Sequence, residues 1–308
     1  MRLGFALPQI GPVAGPDALV TVAQRAEALG FDSLWTLDRL LYPVNPRTPY
    51  PAAPDGILPD LYKRVLDPLE TLTFVAAHTR HVGLGTSVLN LPWYPPVLLA
   101  RRLTTLDVLS GGRLRVGFGM GWSLDEFEAA GAPMQERGKR ADEIIDALKT
   151  IWTTDPVEFQ GKYYRIPKSF IGPKPVQKPH PPIYMAAYTP PAMKRLAKEA
   201  NGWFPVGVPL AAISQMFEGI KEMAREAGRD PGALELIVRA NVGFSQAPIN
   251  QDRADFNGTI EQIVSDVAES RKLGVAEIVF DVQFSPGVET VDDIVARMEQ
   301  LYRASKKL

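Results

Sequence analysis

Three glycines alternate with larger residues in the segment Gly117-Phe118-Gly119-Met120-Gly121-Trp122, which follows an apolar run. Glycine carries no Cβ, so its backbone can approach a phosphate or a flat ring closely. A nicotinamide-binding Rossmann turn needs the order G-x-G-x-x-G, and here the third glycine comes one residue too early. The segment therefore predicts close backbone approach to some other ligand, with a tight turn that binds nothing as the alternative.

Polar residues lie at the ends of two other predicted strands. Ser87 and Asn90, with Val88 between them, lie in Thr86–Pro92, which ends one strand, and Asp38 and Arg39 come directly after another apolar run. In a barrel, polar residues at the carboxyl ends of strands are candidates for ligand binding. Two alternatives stay open, because Ser or Asn can simply tie a loop to the backbone and an Asp–Arg pair can be a structural ion pair.

A fourth candidate segment leads into a helix. Ala187, Tyr188 and Thr189 precede Pro190, which is typical of the first position of a helix. Backbone N–H groups at such a helix start can hold a phosphate. The alternative is an ordinary helix cap by the Thr189 side chain.

Composition excludes several function classes. The 308-residue chain has 34 Lys and Arg against 35 Asp and Glu, a formal net charge of −1, which disfavours electrostatic binding to nucleic acid or an anionic membrane. It has no cysteine and three histidines, so thiolate and iron–sulfur chemistry are excluded and we expect no metal site. No apolar run matches a secretory signal or a membrane span, so we expect a cytoplasmic protein.

Short apolar runs alternate with helical patterns along the whole chain. Continuous apolar runs are typical of strands covered on both faces, hence of a parallel sheet. Alternating strands and helices build either an open doubly wound sheet or a closed barrel, and eight units in 308 residues favour a (β/α)8 TIM barrel with insertions. The predicted strands are Leu3–Leu7, Ser33–Leu37, Val82–Val88, Leu114–Gly117, Ile183–Ala187, Trp203–Val206, Leu236–Val242 and Ala276–Val282.

We expect one barrel domain over residues 1–308 with two proline-rich insertions. Residues 39–65 contain six prolines and follow a strand, so they should cover the catalytic mouth and the substrate. Residues 155–182 contain seven prolines and precede a strand, so they should lie at the opposite end. Within them, Val157–Phe159 and Tyr163–Ile166 flank a turn and predict a β-hairpin.

The chain resembles the luciferase-like (bacterial luciferase) superfamily, in particular the branch that uses coenzyme F420. Its Leu-Asp-Val-Leu-Ser-Gly-Gly-Arg segment, together with the glycine strand that follows, is highly specific for the superfamily. The segments that carry the resemblance are Gly30–Trp35 with Asp38, Thr86–Pro92, Pro96–Arg101, Leu103–Leu114, Val116–Trp122, Asp125–Glu128 and Ala200–Trp203.

The resemblance implies a barrel with a flavin-like ring at the carboxyl ends of the strands. Relatives often have a bulge with a non-prolyl cis peptide at the third strand, which corresponds to Ser87–Val88 and would form a backstop behind the ring. The coenzyme would be F420, with FMN as the alternative, and the turn before Pro190 would bind its phosphate. The implied coenzyme-binding residues are Asp38, Ser87, Val88, Asn90, Gly117, Gly119, Gly121, Trp122, Ala187, Tyr188 and Thr189.

Two departures bear on the reaction. Sugar-phosphate dehydrogenases of the superfamily have His where this chain has Arg39, and an acidic residue where it has Trp122. Because this chain lacks that pair of residues, the resemblance implies a reductase that delivers a hydride to an organic, fairly apolar acceptor. Asp38, Arg39 and Tyr188 are the catalytic candidates, and Tyr94 or water are further possible proton donors.

Two other functions stay open, an FMN-dependent monooxygenase and a barrel that binds a flavin without catalysis. By analogy with the family we expect a homodimer that forms through the second and third helices.

Overall fold

The computed structural model describes all residues from 1 to 308. Eight parallel strands form a closed barrel, in which each strand pairs with its neighbours in chain order and the last pairs with the first. This confirms the predicted (β/α)8 TIM barrel. The barrel strands are β1 Arg2–Ala6, β2 Ser33–Thr36, β3 Gly83–Thr86, β4 Leu114–Gly119, β5 Ile183–Met185, β6 Gly202–Trp203, β7 Glu235–Asn241 and β8 Glu277–Asp281.

Seven of the eight barrel strands end one to three residues earlier than their apolar runs predict, and β4 ends two residues later, at Gly119. β3 stops at Thr86, before the Ser87–Val88 segment leaves the sheet. β6 stops at Trp203, because Pro205 has no N–H to donate to a neighbouring strand. Beyond Pro205 only an isolated bridge between Val206 and Arg239 continues the pairing.

Helices follow the strands and surround the barrel. Gly30 ends the first helix in a left-handed conformation with φ of 93°, as its position in the sequence indicates. Capping boxes at Thr259 and Thr290 begin the last two helices. None of the helices is long and apolar enough to cross a bilayer. They are α1 Pro16–Leu29, α2 Pro68–His78, α3 Pro96–Leu109, α4 Leu124–Ala129, α5 Arg137–Thr153, α6 Pro190–Glu199, α7 Leu210–Glu226, α8 Ile260–Lys272 and α9 Val291–Ser305.

Segments outside the barrel form short pairs and turns. The residues from 39 to 65 contain a single short 3-10 helix, Asp60–Lys63, and otherwise irregular chain. Further 3-10 helices lie at Leu91–Trp93 and Pro231–Ala233. Short strands lie at Leu89–Asn90, which pairs with β4, and at Gly243–Phe244, which pairs with Asn257–Gly258.

The second proline-rich insertion contains two antiparallel strands, Val157–Gln160 and Arg165–Ser169. The second of these begins two residues later than the sequence pattern predicts. The reason is that the carboxylate of Glu143 accepts the backbone N–H groups of Tyr163 and Tyr164, at 2.8 and 2.6 Å, so these groups are not available for pairing.

The barrel interior is filled at its amino end and centre. At the amino end, the fully buried Glu277 pairs with Arg115 and with Arg2, the latter at 2.9 Å. Trp35 fills the centre so tightly that a Cβ on Gly85 would lie 2.2 Å from its ring. Because the amino end and the centre are filled, we take the carboxyl ends of the strands, which we call the mouth, as the candidate ligand site.

Candidate functional site

The structure brings most of the predicted site residues together at the mouth. The backbone N–H of Asn90 donates to Asp38 Oδ2 at 2.9 Å, and the Asn90 side-chain amide donates to the Asp38 carbonyl at 3.3 Å. These bonds join the end of β2 to the segment after β3. The peptide bond between Ser87 and Val88 is cis, as the resemblance implied.

The glycines at the end of β4 and just beyond it are explained by packing of the chain itself. A Cβ on Gly117 would lie 2.1 Å from the carbonyl oxygen of Thr86, and one on Gly119 would lie 2.5 Å from Val88 Cγ2. Gly121 has φ of 65°, and its Cβ would lie 2.8 Å from the ring of Phe127. These residues therefore let the Ser87–Val88 segment lie against β4, and their contact with a ligand stays a prediction.

Asp38 is a buried carboxyl with an unusual proton affinity. Its Oδ2 accepts the Asn90 N–H and also the hydroxyl of Tyr94, at 3.0 Å. Burial raises the pKa of Asp38 to about 6, and the two hydrogen bonds oppose that rise. A carboxyl with this pKa can hold or release a proton near neutral pH, as an acid–base group must.

Arg39 pairs with Glu126 and not with Asp38, its neighbour in sequence. Its Nη1 lies 3.5 Å from Glu126 Oε2, and its guanidinium carbon lies 5.0 and 4.9 Å from the ring centroids of Tyr62 and Trp122. An ion pair between Asp38 and Arg39 is thus the wrong interpretation. Arg39 is enclosed by these three side chains, and a catalytic role for it stays a prediction.

Glu126 is a site residue that sequence reasoning missed. It is only 1% exposed, its Oε1 accepts the backbone N–H of Leu40 at 2.9 Å, and burial raises its pKa. It lies on α4, within the segment Asp125–Glu128, which indicated only the resemblance to the family. A glutamate on a short helix gives no signal in the sequence that it will be buried beside Arg39.

The turn before α6 offers backbone donors. The N–H groups of Tyr188, Thr189 and Ala192 donate to no atom of the chain, whereas Pro190 and Pro191 have none to offer. The Thr189 side chain makes no capping bond, so the alternative of an ordinary Thr189 cap is wrong. Tyr188 is 46% exposed, and its hydroxyl accepts the N–H of Val206 at 3.0 Å.

The floor of the mouth is accessible between these elements. Ser87, Val88 and Ala186 are partly exposed, while Trp35 directly below is fully buried. Two small side chains lie at this end of the barrel, Ala6 at the end of β1 and Ala186 directly after β5. The chemistry of these residues suits a flat ring on the floor and a phosphate at the free N–H groups of Tyr188, Thr189 and Ala192 at the start of α6. No group of three or more His, Asp or Glu side chains could hold a metal ion.

Comparison with known proteins now decides the family. The family profile described as luciferase-like monooxygenase matches residues 2–277. The chain belongs to the luciferase-like monooxygenase family. This confirms the superfamily that the sequence motifs indicated.

Members of the family that resemble this chain differ in their coenzymes. An uncharacterised protein of Mycobacterium bovis is 30% identical over 281 residues, which cover 91% of this chain and 90% of that protein. An F420-dependent glucose-6-phosphate dehydrogenase of Amycolatopsis mediterranei is 33% identical over 239 residues, 75% of this chain and 66% of that protein. An FMNH2-dependent dimethylsulfone monooxygenase of Pseudomonas putida is 34% identical over 169 residues, 54% and 46% respectively.

Solved structures share the fold. The monooxygenase RslO1 from Streptomyces bottropensis superposes with a TM-score of 0.82 over 100% of this chain and 99% of that chain, at 22% identity. The family consists of oxidoreductases and monooxygenases, and the relatives of this chain include both F420-dependent and FMNH2-dependent enzymes.

Proposed function

We propose that this protein is a reductase that transfers a hydride between coenzyme F420 and a fairly apolar organic substrate. The observation that carries the proposal is the accessible Ser87–Val88 floor beside Asp38, a carboxyl whose pKa of about 6 suits proton transfer. The relative that uses F420 is similar over three quarters of this chain, which supports this coenzyme.

When bound, the coenzyme supplies a pair of electrons as hydride, and the acceptor takes up one proton as well. Ser87 and Val88 support one face of the ring. The free N–H groups of Tyr188, Thr189 and Ala192 bind the phosphate, as donors at a helix start do. Asp38 holds the proton at Oδ1, because Oδ2 already accepts the Asn90 N–H and the Tyr94 hydroxyl.

The substrate lies under the insertion of residues 39–65. Tyr50 and Tyr62 from this insertion contact Trp122 and Phe284 at ring-centroid distances of 5.5 and 5.6 Å, so the wall of the mouth is aromatic. Arg47 of the insertion binds Asp125 of α4, with Nε donating to Oδ1 at 2.8 Å. An aromatic wall excludes water and favours an apolar acceptor over a sugar phosphate.

Arg39 and Trp122 argue against alcohol oxidation of the sugar-phosphate type. A guanidinium cannot take a proton from an alcohol, since it has no acceptor atom, and Arg39 is enclosed by two rings and Glu126. Trp122 likewise has no carboxyl. The chain therefore lacks two of the groups that the resemblance associates with sugar-phosphate dehydrogenation.

A second candidate is an FMN-dependent monooxygenase, which the 34% identical FMNH2-dependent relative favours. The two candidates separate in a binding titration of the purified protein with F420 and with FMN, followed by turnover assays with each reduced coenzyme and a panel of enones, imines and nitro compounds. We expect micromolar binding of F420 and reduction of at least one acceptor. Tight FMN binding without F420 affinity would overturn the proposal, and binding without any turnover would favour a barrel that binds a flavin without catalysis.

A further inference from the structure

A buried arginine crosses the barrel directly beneath the mouth. Arg239 lies on β7, and its side chain is only 7% exposed. Its Nη1 donates to Ser87 Oγ at 2.8 Å and to the Ser87 carbonyl at 3.2 Å. Because β3 and β7 are four strands apart in a closed barrel of eight, this side chain joins opposite walls.

The remaining donors of Arg239 are also held in place. Its Nη2 pairs with the fully buried Asp281 on β8, and its Nε donates to Asn241 Oδ1 at 3.3 Å. Asp281 Oδ1 in turn accepts the backbone N–H and the side-chain amide of Gln283, at 3.0 and 3.1 Å. Both members of the ion pair therefore have a fixed orientation, with the cation nearer to Ser87 and the carboxylate behind it.

The Ser87–Val88 segment is thus fixed from two sides. Val88 packs on β4, where Gly117 and Gly119 leave no room for a Cβ. Ser87 is held from across the barrel by Arg239. The positive charge also reaches the surroundings of the mouth, since it opposes the rise in pKa that burial causes at Tyr62.

We propose that Arg239 is a positioning residue that fixes the Ser87–Val88 floor and holds a positive charge beneath the bound redox ring. This inference rests on the proposed function, because it needs a ring on that floor. A reduced ring is richer in electrons than an oxidised one, so a cation below it favours the reduced coenzyme. Asp281 acts in the opposite direction and limits the effect, because its negative charge lies behind the guanidinium.

The test measures the dissociation constants of oxidised and reduced F420 under anaerobic conditions for the wild-type protein and four variants. Arg239→Gln should weaken the preference for the reduced coenzyme about tenfold, which corresponds to about 30 mV for a two-electron couple. Arg239→Lys should restore most of the preference. Asp281→Asn should shift it the other way, because the cation is then no longer neutralised.

The double variant Arg239→Gln/Asp281→Asn is included because removing one member of a buried pair can prevent folding. It preserves side-chain volume without buried charge, and it should show the Arg239→Gln shift at smaller size. Preferences equal to wild type in every folded variant would overturn the inference while leaving the proposed function intact. A wild-type protein that binds neither form of the coenzyme would overturn both.

Discussion

The raised pKa of Asp38 predicts that the variant Asp38→Asn gains stability relative to the wild type as pH rises. Asparagine keeps an oxygen for the Asn90 N–H and the Tyr94 hydroxyl, so the two hydrogen bonds that Asp38 accepts can remain. It differs in one respect, because it never carries the negative charge that burial disfavours. The comparison therefore isolates the free energy of placing that charge in the folded protein.

The sign and size follow from the pKa. In the folded protein the pKa of Asp38 is about 6, against 3.8 for the group in water. The wild type therefore loses stability between about pH 4 and about pH 6, where the unfolded chain is ionised and the folded protein is not. The difference of about 2.2 units, at about 1.4 kcal/mol per unit, amounts to about 3 kcal/mol above that window.

Thermal unfolding over a pH series measures this difference. With an unfolding entropy of roughly 2 cal/mol/K per residue, about 3 kcal/mol corresponds to roughly 4 to 5 °C for this chain. The Tm of Asp38→Asn minus that of the wild type should rise by this amount between about pH 4 and about pH 8. Asp32→Asn is the matched control, since the exposed Asp32 accepts a backbone N–H at 2.8 Å and should show no comparable rise. A flat difference for Asp38→Asn, or one that falls with pH, would refute the reasoning.

Three further predictions test other parts of the structure. Gly119→Val should abolish coenzyme binding, because the new Cβ would displace Val88. Gly172→Val is the control and should bind the coenzyme normally, since a Cβ there contacts no atom. Equal binding by both variants would contradict the packing argument. Arg39→Gln should lower stability by about 3 kcal/mol in thermal unfolding, because it leaves Glu126 buried without its cation. Adding Glu126→Gln should recover most of that loss, and an unchanged Tm for the single variant would count against the ion pair. The homodimer prediction is tested on α3, where Leu98 and Leu109 are 54% and 61% exposed. Leu98→Glu and Leu109→Glu should each turn the dimer into monomers in sedimentation, whereas Val44→Glu should not. A wild-type protein that is monomeric at micromolar concentration would reject the dimer.

The barrel could be predicted because its signals are local. Runs such as Ala276–Val282 and the capping box at Thr259 and Gln262 each involve a few consecutive residues, and the structure places strand β8 and helix α8 there. The same holds for the Ser87–Val88 segment, which the resemblance located. Strand ends were predicted less well, because most apolar runs continue past the last paired residue, as at Trp203, where Pro205 follows without an N–H to donate.

The interior of the site depends on contacts between residues far apart in sequence. Arg239 meets Ser87 across 152 positions, and Glu126 meets Arg39 across 87, so no spacing rule reveals either pair. For the same reason the sequence left open an ion pair between Arg39 and its neighbour Asp38, whereas the structure pairs Arg39 with Glu126. The glycines of β4, Gly117 and Gly119, were singled out from the sequence, but the structure explains them through contacts with Thr86 and Val88.

A crystal structure of the protein with oxidised F420 tests the central claim most directly. The account predicts a ring lying on Ser87 and Val88 above Arg239, beside Asp38, with the phosphate at the N–H groups of Tyr188, Thr189 and Ala192. A ring bound elsewhere on the chain would contradict the account. So would a mouth that stays empty at saturating F420 but binds FMN in a parallel crystal.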